Sequence, residues 1–420
     1  MIRAADHLPA PTLPNGWFVQ RLGDLVDLVN GHPFSSDDFA PDGDIPLVRI
    51  RDLTADEFEV YVPRGTVPRR AVLEPGDVVV GMDGDFNVVI WDRGPAALNQ
   101  RLCKLRPRAG TDHRFIAYAL PALLKVVNDL TFSTTVKHLS SSDILGQRLP
   151  APSIDEQRRI ADFLDTETAR IDQLVAARKQ QQPLLEERWR AEIRNELEGR
   201  GEGRTPSHVP WLARHPASWR PIRLRHLAHI QRGASPRPID DPIYFDDAGT
   251  HAWVRISDVS ASGKFLRRTD QTLSSLGKSR SVALKPGELF VSIAASVGKP
   301  VIAAIDCCIH DGFVAIRRPR ASVDFLYYVL QLGDCFDGLG KLGTQLNLNS
   351  DTIGSLMMAL PPEREQVEIA HRLDLARESL TRISASIERQ VGILQERRRA
   401  LITAAVTGQL DVTTARGGRS

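Results

Sequence analysis

Cysteine, methionine and tyrosine are scarce in this chain: four, four and five of 420 residues, and no long apolar run goes uninterrupted. Cys103, Cys307, Cys308 and Cys335 show no C-x-x-C spacing and no nearby histidine pair. The adjacent Cys307 and Cys308 suit neither a zinc site nor a disulfide framework. All four are expected as buried, reduced thiols. The most apolar stretch, Phe290 to Ile305, is broken by Lys299-Pro300, and the N-terminus lacks the apolar core of a secretion signal. Neither secretion nor membrane insertion is suggested, and a cytoplasmic location is expected.

Catalytic constellations are equally scarce. The eleven histidines form no H-E-x-x-H, and no Walker A sequence or N/D-P-P-Y/F motif is present. GLGKLG, with Gly338, Gly340 and Gly343, matches a dinucleotide fingerprint in letters only. It follows a helical pattern rather than a strand, so a loop is expected. DGDFN from Asp83 has acids at alternate positions but lacks the glycine and glutamate of a calcium loop, so a hairpin turn is expected. No catalytic, cofactor-binding or metal-binding residue is assigned.

Net charge is also small, +2 overall, but it is unevenly spread. Residues 214–361 carry 18 basic and 13 acidic residues, against 16 and 19 in residues 1–151. If both segments touch nucleic acid, the first must rely on a local basic patch or a partner's field.

What is present is a duplication. EQRRIADFLD, Glu156 to Asp165, returns as EQVEIAHRLD, Glu365 to Asp374, with six of ten letters shared. EERWRA from Glu186 meets QERRRA from Gln395 at the same displacement of 209 residues. Constant register over about forty residues predicts a long helix, about 60 Å at helical rise. Ile369, Leu373, Ala376, Leu380, Ile383, Ile387, Leu394 and Leu401 recur at three- and four-residue steps, as do Ile160, Leu164, Ile171, Leu174 and Leu185. Such lines predict a seam, so the two helices are expected to pair with each other. Ser153 is placed to cap the Glu156 amide while Glu156 reaches back, and Pro361-Pro362 opens the second copy. Pro183 and Gly392 occupy matching positions, where a bend is expected.

The globular parts repeat too. WFVQRLGDLVDLVNG from Trp17 parallels WRPIRLRHLAHIQRG from Trp219, aligning Gly31 with Gly233. LVRIRDL from Leu47 parallels WVRISDV from Trp253, and EPGDVVV from Glu74 parallels KPGELFV from Lys285. Displacements vary from 202 to 212, so loops changed length while the framework held. Candidate nucleic-acid contacts in the first half are Arg49, Arg51, Arg69, Arg70, Asn99, Gln100, Arg101, Lys137, His138 and Ser140. In the second they are Arg232, Arg237, Arg255, Arg267, Arg268, Lys278, Arg280, Lys299, Lys341, Thr344, Gln345 and Asn347. Arginine suits guanine edges and phosphates, Asn and Gln suit adenine, and hydroxyls suit backbone oxygens. Arg49 and Arg255 repeat in V-R-I, which fits either a shared backbone contact or a structural salt bridge. Asn99-Gln100 becomes His310-Asp311 in the second half.

The doubled order of Trp-led segment, PGD or PGE strand, T-x-x-x-x-L-S loop and E-Q-x-x-I-A-x-x-L-D helix resembles the specificity subunit of type I restriction-modification systems over essentially the whole chain. The resemblance implies an α+β fold in which two similar mixed α/β target recognition domains are joined by two long antiparallel helices forming a coiled coil, a pseudo-twofold internal repeat. It implies recognition domains at 1–151 and 214–361, helical regions at 152–198 and 362–407, a linker at 199–213 and a tail at 408–420. The implied partners are double-stranded DNA with a bipartite target, two modification (methyltransferase) subunits and motor-nuclease restriction subunits. S-adenosylmethionine, ATP and Mg would sit on those partners, and this chain would be non-catalytic. Glu156, Gln157, Ile160, Leu164 and Asp165, with Glu365, Gln366, Ile369, Leu373 and Asp374, would be the helix signature and partner-docking residues. A coiled-coil adaptor whose globules bind proteins is the other class compatible with the low net charge.

Overall fold

Proline and serine open the first long helix where the pattern puts them. The computed structural model describes residues 13–130, 138–201, 203–294, 297–337, 339 and 348–413. In it the helices run Ile154–Leu197 and Glu363–Val406, 44 residues each and about 66 Å at helical rise. Ser153 Oγ accepts from the Glu156 amide at 3.4 Å. The Glu156 carboxylate does not supply the expected return bond to the cap; Arg159, one turn on, takes it instead. Both helices continue unbroken through Pro183 and Gly392.

The chain divides into two units, Met1–Lys179 with Glu388–Ser420, and Gln180–Ile387. The division falls inside both long helices, so each unit owns one end of each.

In unit 1, one sheet has the order Val26–Asn30, Leu102–Pro107, Val78–Gly81, Val88–Ile90, all antiparallel. A second has the order Tyr61–Val62, Ile45–Val48, Ala96–Leu98, Val72–Leu73, with Ile45–Val48 parallel to Ala96–Leu98. The turn from Asp83 links the antiparallel pair Val78–Gly81 and Val88–Ile90, as the hairpin reading expects. The strands are β-branched and buried on both faces at Val78, Val79 and Val80. The amphipathic helix His113–Leu130 covers the first sheet through Phe115, Ile116, Ala119 and Leu120.

Unit 2 repeats that plan. Its first sheet runs His229–Arg232, Phe313–Arg317, Leu289–Ser292, Pro300–Ala303, with Phe265–Leu266 added at the edge. Its second runs Gln271–Leu273, His251–Val254, Cys307–Ile309, Val282–Leu284, and again the middle pair is parallel. The helix Val323–Leu332 stands where His113–Leu130 stands in unit 1, and Phe325, Leu326 and Tyr328 are buried on it. The globules therefore share strand order and direction, not merely composition.

An ion pair, buried in unit 1 and part-exposed in unit 2, explains the repeated PGD and PGE. In unit 1 the fully buried Lys104 donates to Asp77 Oδ2 at 2.9 Å and to the Val72 carbonyl, and Arg106 adds a 3.3 Å contact to Asp77. In unit 2 Arg317 donates to Glu288 at 2.6 Å. In each, the acid after the Pro-Gly turn anchors a cation from the neighbouring strand.

Each globule is closed by a short antiparallel pair, Phe18–Arg21 with Arg148–Ala151 and Arg220–Arg223 with Met357–Leu360. The long helices follow directly. In unit 1, Ile160 and Leu164 sit in the globular core with Ala405 and Val406, and Arg398 Nε meets Asp172 at 3.0 Å. In unit 2, Trp189, Ile193 and Leu197 pack with Ile369, Leu373 and Leu380; Arg372 pairs with Glu196 at 2.8 Å and Arg377 with Glu186 at 3.2 Å. Within both units the two helices thus run antiparallel. The expected seam is buried in part: Ile171, Leu380 and Ile387 are buried, whereas Leu174 and Ile383 are 46% and 41% exposed.

Two segments depart from expectation. Residues 199–213, expected as a linker, feed a hairpin of Arg204–Pro206 with Arg214–Pro216 whose Val209 and Leu212 join the unit 2 core. The glycines that suggested a linker, Gly199, Gly201 and Gly203, have φ of 78°, 95° and 87° and shape the entry to that hairpin. Within the expected tail, Leu410 and Val412 pack on the unit 1 core.

Candidate nucleic-acid interface

Where the strand Val26–Asn30 ends beside the start of Leu102–Pro107, and His229–Arg232 beside the start of Phe313–Arg317, a tight turn brings candidate residues together. In unit 1 the Leu102 amide donates to the Asn99 carbonyl at 3.0 Å, and the Gly31 and His32 amides donate to Leu102 and Leu98. In unit 2 Phe313 donates to His310 at 3.0 Å, while Gly233 and Ala234 donate to Phe313 and Ile309. A Cβ on Gly31 would lie 1.9 Å from the Asn99 carbonyl oxygen, and one on Gly233 2.1 Å from that of His310. Glycine is required at both positions because two backbones cross in contact.

The side chains at this shared turn differ. In unit 1, Gln100 and Arg101 are exposed; Arg101 faces Asp83 at 3.5 Å, and Asp83 also meets His138 Nδ1 at 2.5 Å. In unit 2, the Asp311 carboxylate accepts from Ser235 Oγ at 2.6 Å and Arg237 Nη2 at 3.1 Å, while its carbonyl accepts Arg232 Nε at 2.9 Å. The Ser235 hydrogen bond holds Asp311 below the usual carboxylate range. His310 Nδ1 accepts from the Gly312 amide at 2.9 Å, and burial holds its imidazole below the ordinary histidine value. Unit 1 therefore presents an amide and a cation there; unit 2 presents a carboxylate held by Ser235 and Arg237, with Arg232 on the same residue's carbonyl.

Other candidates are taken up by structure. Arg49 caps the one-turn helix Ile50–Leu53 and donates to Asp52 at 2.7 and 3.0 Å and to Glu59 at 3.0 Å. Its guanidinium is raised above the ordinary value chiefly by the Asp52 bond. Arg255 likewise caps the helix Ile256–Ala261: its amide donates to Asp258 at 2.8 Å, its Nε lies 3.7 Å from the same carboxylate, and its Nη2 donates to Asp270 at 2.5 Å. The V-R-I repeat is thus a structural salt bridge in both units. Ser140 is the N-cap of the helix Ser141–Leu145, and Lys299 Nζ donates to the Ser260 carbonyl at 2.9 Å. Arg51 pairs with Glu59 at the surface, whereas Arg69, Arg70, Arg267, Arg268, Lys278 and Arg280 are exposed. Lys137, Lys341, Thr344, Gln345 and Asn347, and Gly338, Gly340 and Gly343 of GLGKLG, lie outside the described residues.

The helix signature also faces inward. Gln157 accepts from the Asp112 amide at 2.9 Å and donates to the Pro152 carbonyl at 2.9 Å. Gln366 accepts from Ser322 N at 2.8 Å and donates to the Pro361 carbonyl at 2.9 Å. Asp165 accepts from Tyr118 and Arg114, both at 2.7 Å; Asp374 accepts from Tyr328 and Lys264. Glu365 accepts from Trp219 Nε1 at 3.0 Å. With Ile160, Leu164, Ile369 and Leu373 buried as well, these residues key each helix to its own globule, while the Asp165 and Asp374 side chains stay part-exposed.

All four cysteines are free and buried; burial pushes Cys103 and Cys307 up to about 12 and Cys308 to about 11. Among the described residues no group of His, Cys, Asp and Glu could hold a metal, and no helix is long and apolar enough to cross a membrane.

The family model described as "Type I restriction modification DNA specificity domain" matches the chain twice, over residues 14–182 and 216–391. The chain belongs to that family. DNA sequence recognition through two specificity domains is what this doubled match carries, and each match takes in one globule and most of the helix after it. The EcoBI type I restriction enzyme specificity subunit of Escherichia coli is 38% identical over 185 residues, 43% of this chain and 38% of that protein's length. The EcoKI specificity subunit of Escherichia coli K12 is 23% identical across 91% of this chain and 86% of its own length. Among solved structures, a chain from a study of complex assembly and conformational transition in a type I system has a TM-score of 0.72 at 19% identity, covering 95% of this chain and all of its own. The HsdS subunit of Thermoanaerobacter tengcongensis has a TM-score of 0.55 at 20% identity, covering 96% and 99%. At those identities the likeness is one of fold: two specificity domains of one plan.

Proposed function

We propose that this specificity protein reads a bipartite duplex target, one half-site per globule, through the turns 99–102 and 310–313. The observation that carries this is one backbone plan with different chemistry at the same turn: Gln100 and Arg101 in one, Asp311 held by Ser235 and Arg237 in the other. Glutamine suits adenine, arginine suits guanine or phosphate, and a fixed carboxylate suits a cytosine amino group. The recognition domains are 1–151 and 214–361, with 152–198 and 362–407 as the helical regions. Two weak readers on one chain gain affinity through effective concentration, and helix length fixes the number of unread base pairs.

The chain is non-catalytic and cytoplasmic. It scaffolds two methyltransferase subunits, with restriction subunits joining the larger complex, and S-adenosylmethionine, ATP and Mg belong to those partners. Docking falls to outward-facing apolar residues of the long helices, such as Leu174, Leu184, Ile383 and Ile393, all more than 40% exposed. Inserting four residues after Ala177 tests the reading: single-molecule sequencing of host DNA is expected to show methyladenine at the same two half-sites with a changed gap. An unchanged gap after the insertion would sink the ruler.

A further inference from the structure

A cleft of about 510 Å³ opens in unit 2 where the strand His229–Arg232 begins and its partner Phe313–Arg317 ends. Arg225, His226, His229, Arg318 and Arg320 line it and are exposed. Among the described residues none of these five side chains has a hydrogen-bond or ion-pair partner. Arg317 lines the cleft too, but its guanidinium is spent on Glu288, Gln231 and the Ala283 carbonyl. The one lining carboxylate is Asp351. Arg318 has φ of 48°, in the left-handed region, and the Arg320 amide donates to the Leu227 carbonyl at 2.8 Å; that turn brings both arginines to the cleft.

Among the described residues the matching place in unit 1 is charged differently. At the matching strand start it carries Asp24 and Asp27 in place of His226 and His229, and Arg108 is paired with Asp27 at 2.7 Å. The cationic lining is therefore a property of unit 2 rather than of the fold. Three guanidinium groups held around a concavity without counter-ions repel one another unless an anion joins them, and planar forks match phosphate oxygens. His229 is three residues from Arg232 of the reading turn, roughly 10 Å along a strand. That is about three nucleotide steps of one duplex strand.

We infer that this cleft grips the phosphodiester backbone beside the half-site read by unit 2, a contact without base selectivity and without an equivalent in unit 1. The inference rests on the DNA-recognition reading above. The test is the full chain assembled with its methyltransferase subunits, bound to a random-sequence duplex over a salt series, comparing wild type with the Arg225→Gln, Arg318→Gln, Arg320→Gln triple variant. Each lost phosphate contact lowers the slope of log K against log salt by about 0.9, so the slope is expected to shrink by about 2 to 3 while the methylated motif stays the same. Replacing the same three residues by Lys keeps the charge and is expected to keep most of the slope, which separates charge loss from misfolding. An unchanged slope in the Gln variant overturns the inference. So does loss of methyltransferase assembly with the slope intact, which would assign the cleft to an acidic protein surface. Absence of any duplex binding by wild type would instead overturn the recognition reading itself.

Discussion

Units 1 and 2 fold alike and are charged differently, and the difference is concentrated at strand ends. The Gly31 and Gly233 crossings, the parallel central pair and the acid after the Pro-Gly turn are common to both. The turn side chains and the strand starts are not: the Asp27 carboxylate neutralises Arg108 in unit 1, and unpaired cations gather in unit 2. Framework positions are fixed by backbone contact and burial, which tolerate few residues. Rim positions meet only solvent or ligand, so they are free to diverge.

The largest test of the shared framework is the anchoring acid. Asp77→Ala leaves Lys104 buried without its counter-charge and is expected to cost about 3–5 kcal/mol. Glu288→Ala is expected to cost about 1 kcal/mol, because Arg317 keeps Gln231 and the Ala283 carbonyl and both partners are part-exposed. Chemical denaturation of the two variants checks this; equal losses would mean the two anchors are equivalent after all.

Next in size are the crossings. Gly31→Ala and Gly233→Ala force two backbones apart and are each expected to cost about 1–3 kcal/mol. Under the proposed division of labour each would relax selection at one half-site only, read by mapping methylated sites. Relaxation of both halves by one substitution would break the assignment of one turn to one half-site.

The smallest effect is a pH difference between the turns. His310 is held neutral by burial and by accepting the Gly312 amide, so its folded-state value lies below the ordinary 6.5. As pH falls, the unfolded chain takes up the proton first. The stabilisation is therefore complete above the ordinary value and is lost as pH drops from there toward the folded one. Amide exchange around Phe313 is expected to quicken as pH falls below the ordinary histidine value, and His310→Gln to remove that response. The matching Asn99 cannot titrate, so no response through that position is expected in unit 1.

Much of this was legible in the sequence because it is local or repeated. The helix register, the Pro-Gly turns and the paired glycines appear as matched letters at near-constant displacement. Even the salt bridge of Arg49 lies in the text, since Asp52 is three residues on and Asp258 repeats the spacing after Arg255. The cleft did not show itself, because Arg225 and Arg318 meet only once distant strands pair. The 199–213 stretch misled through its glycines, although Trp211, Val209 and Leu212 already signalled burial. The contacts of the helix signature with its own globule were not legible for a different reason: periodicity tells that a helix face is covered, not what covers it.

The four-residue ladders at the neck of each globule, Phe18–Arg21 against Arg148–Ala151 and Arg220–Arg223 against Met357–Leu360, bring the incoming and outgoing chain side by side. A foreign segment ending in the same ladder would graft onto the stem without disturbing it. New target preferences can thus be acquired as whole cassettes, exchanged at two adjacent seams, while the apparatus that uses them stays as it was.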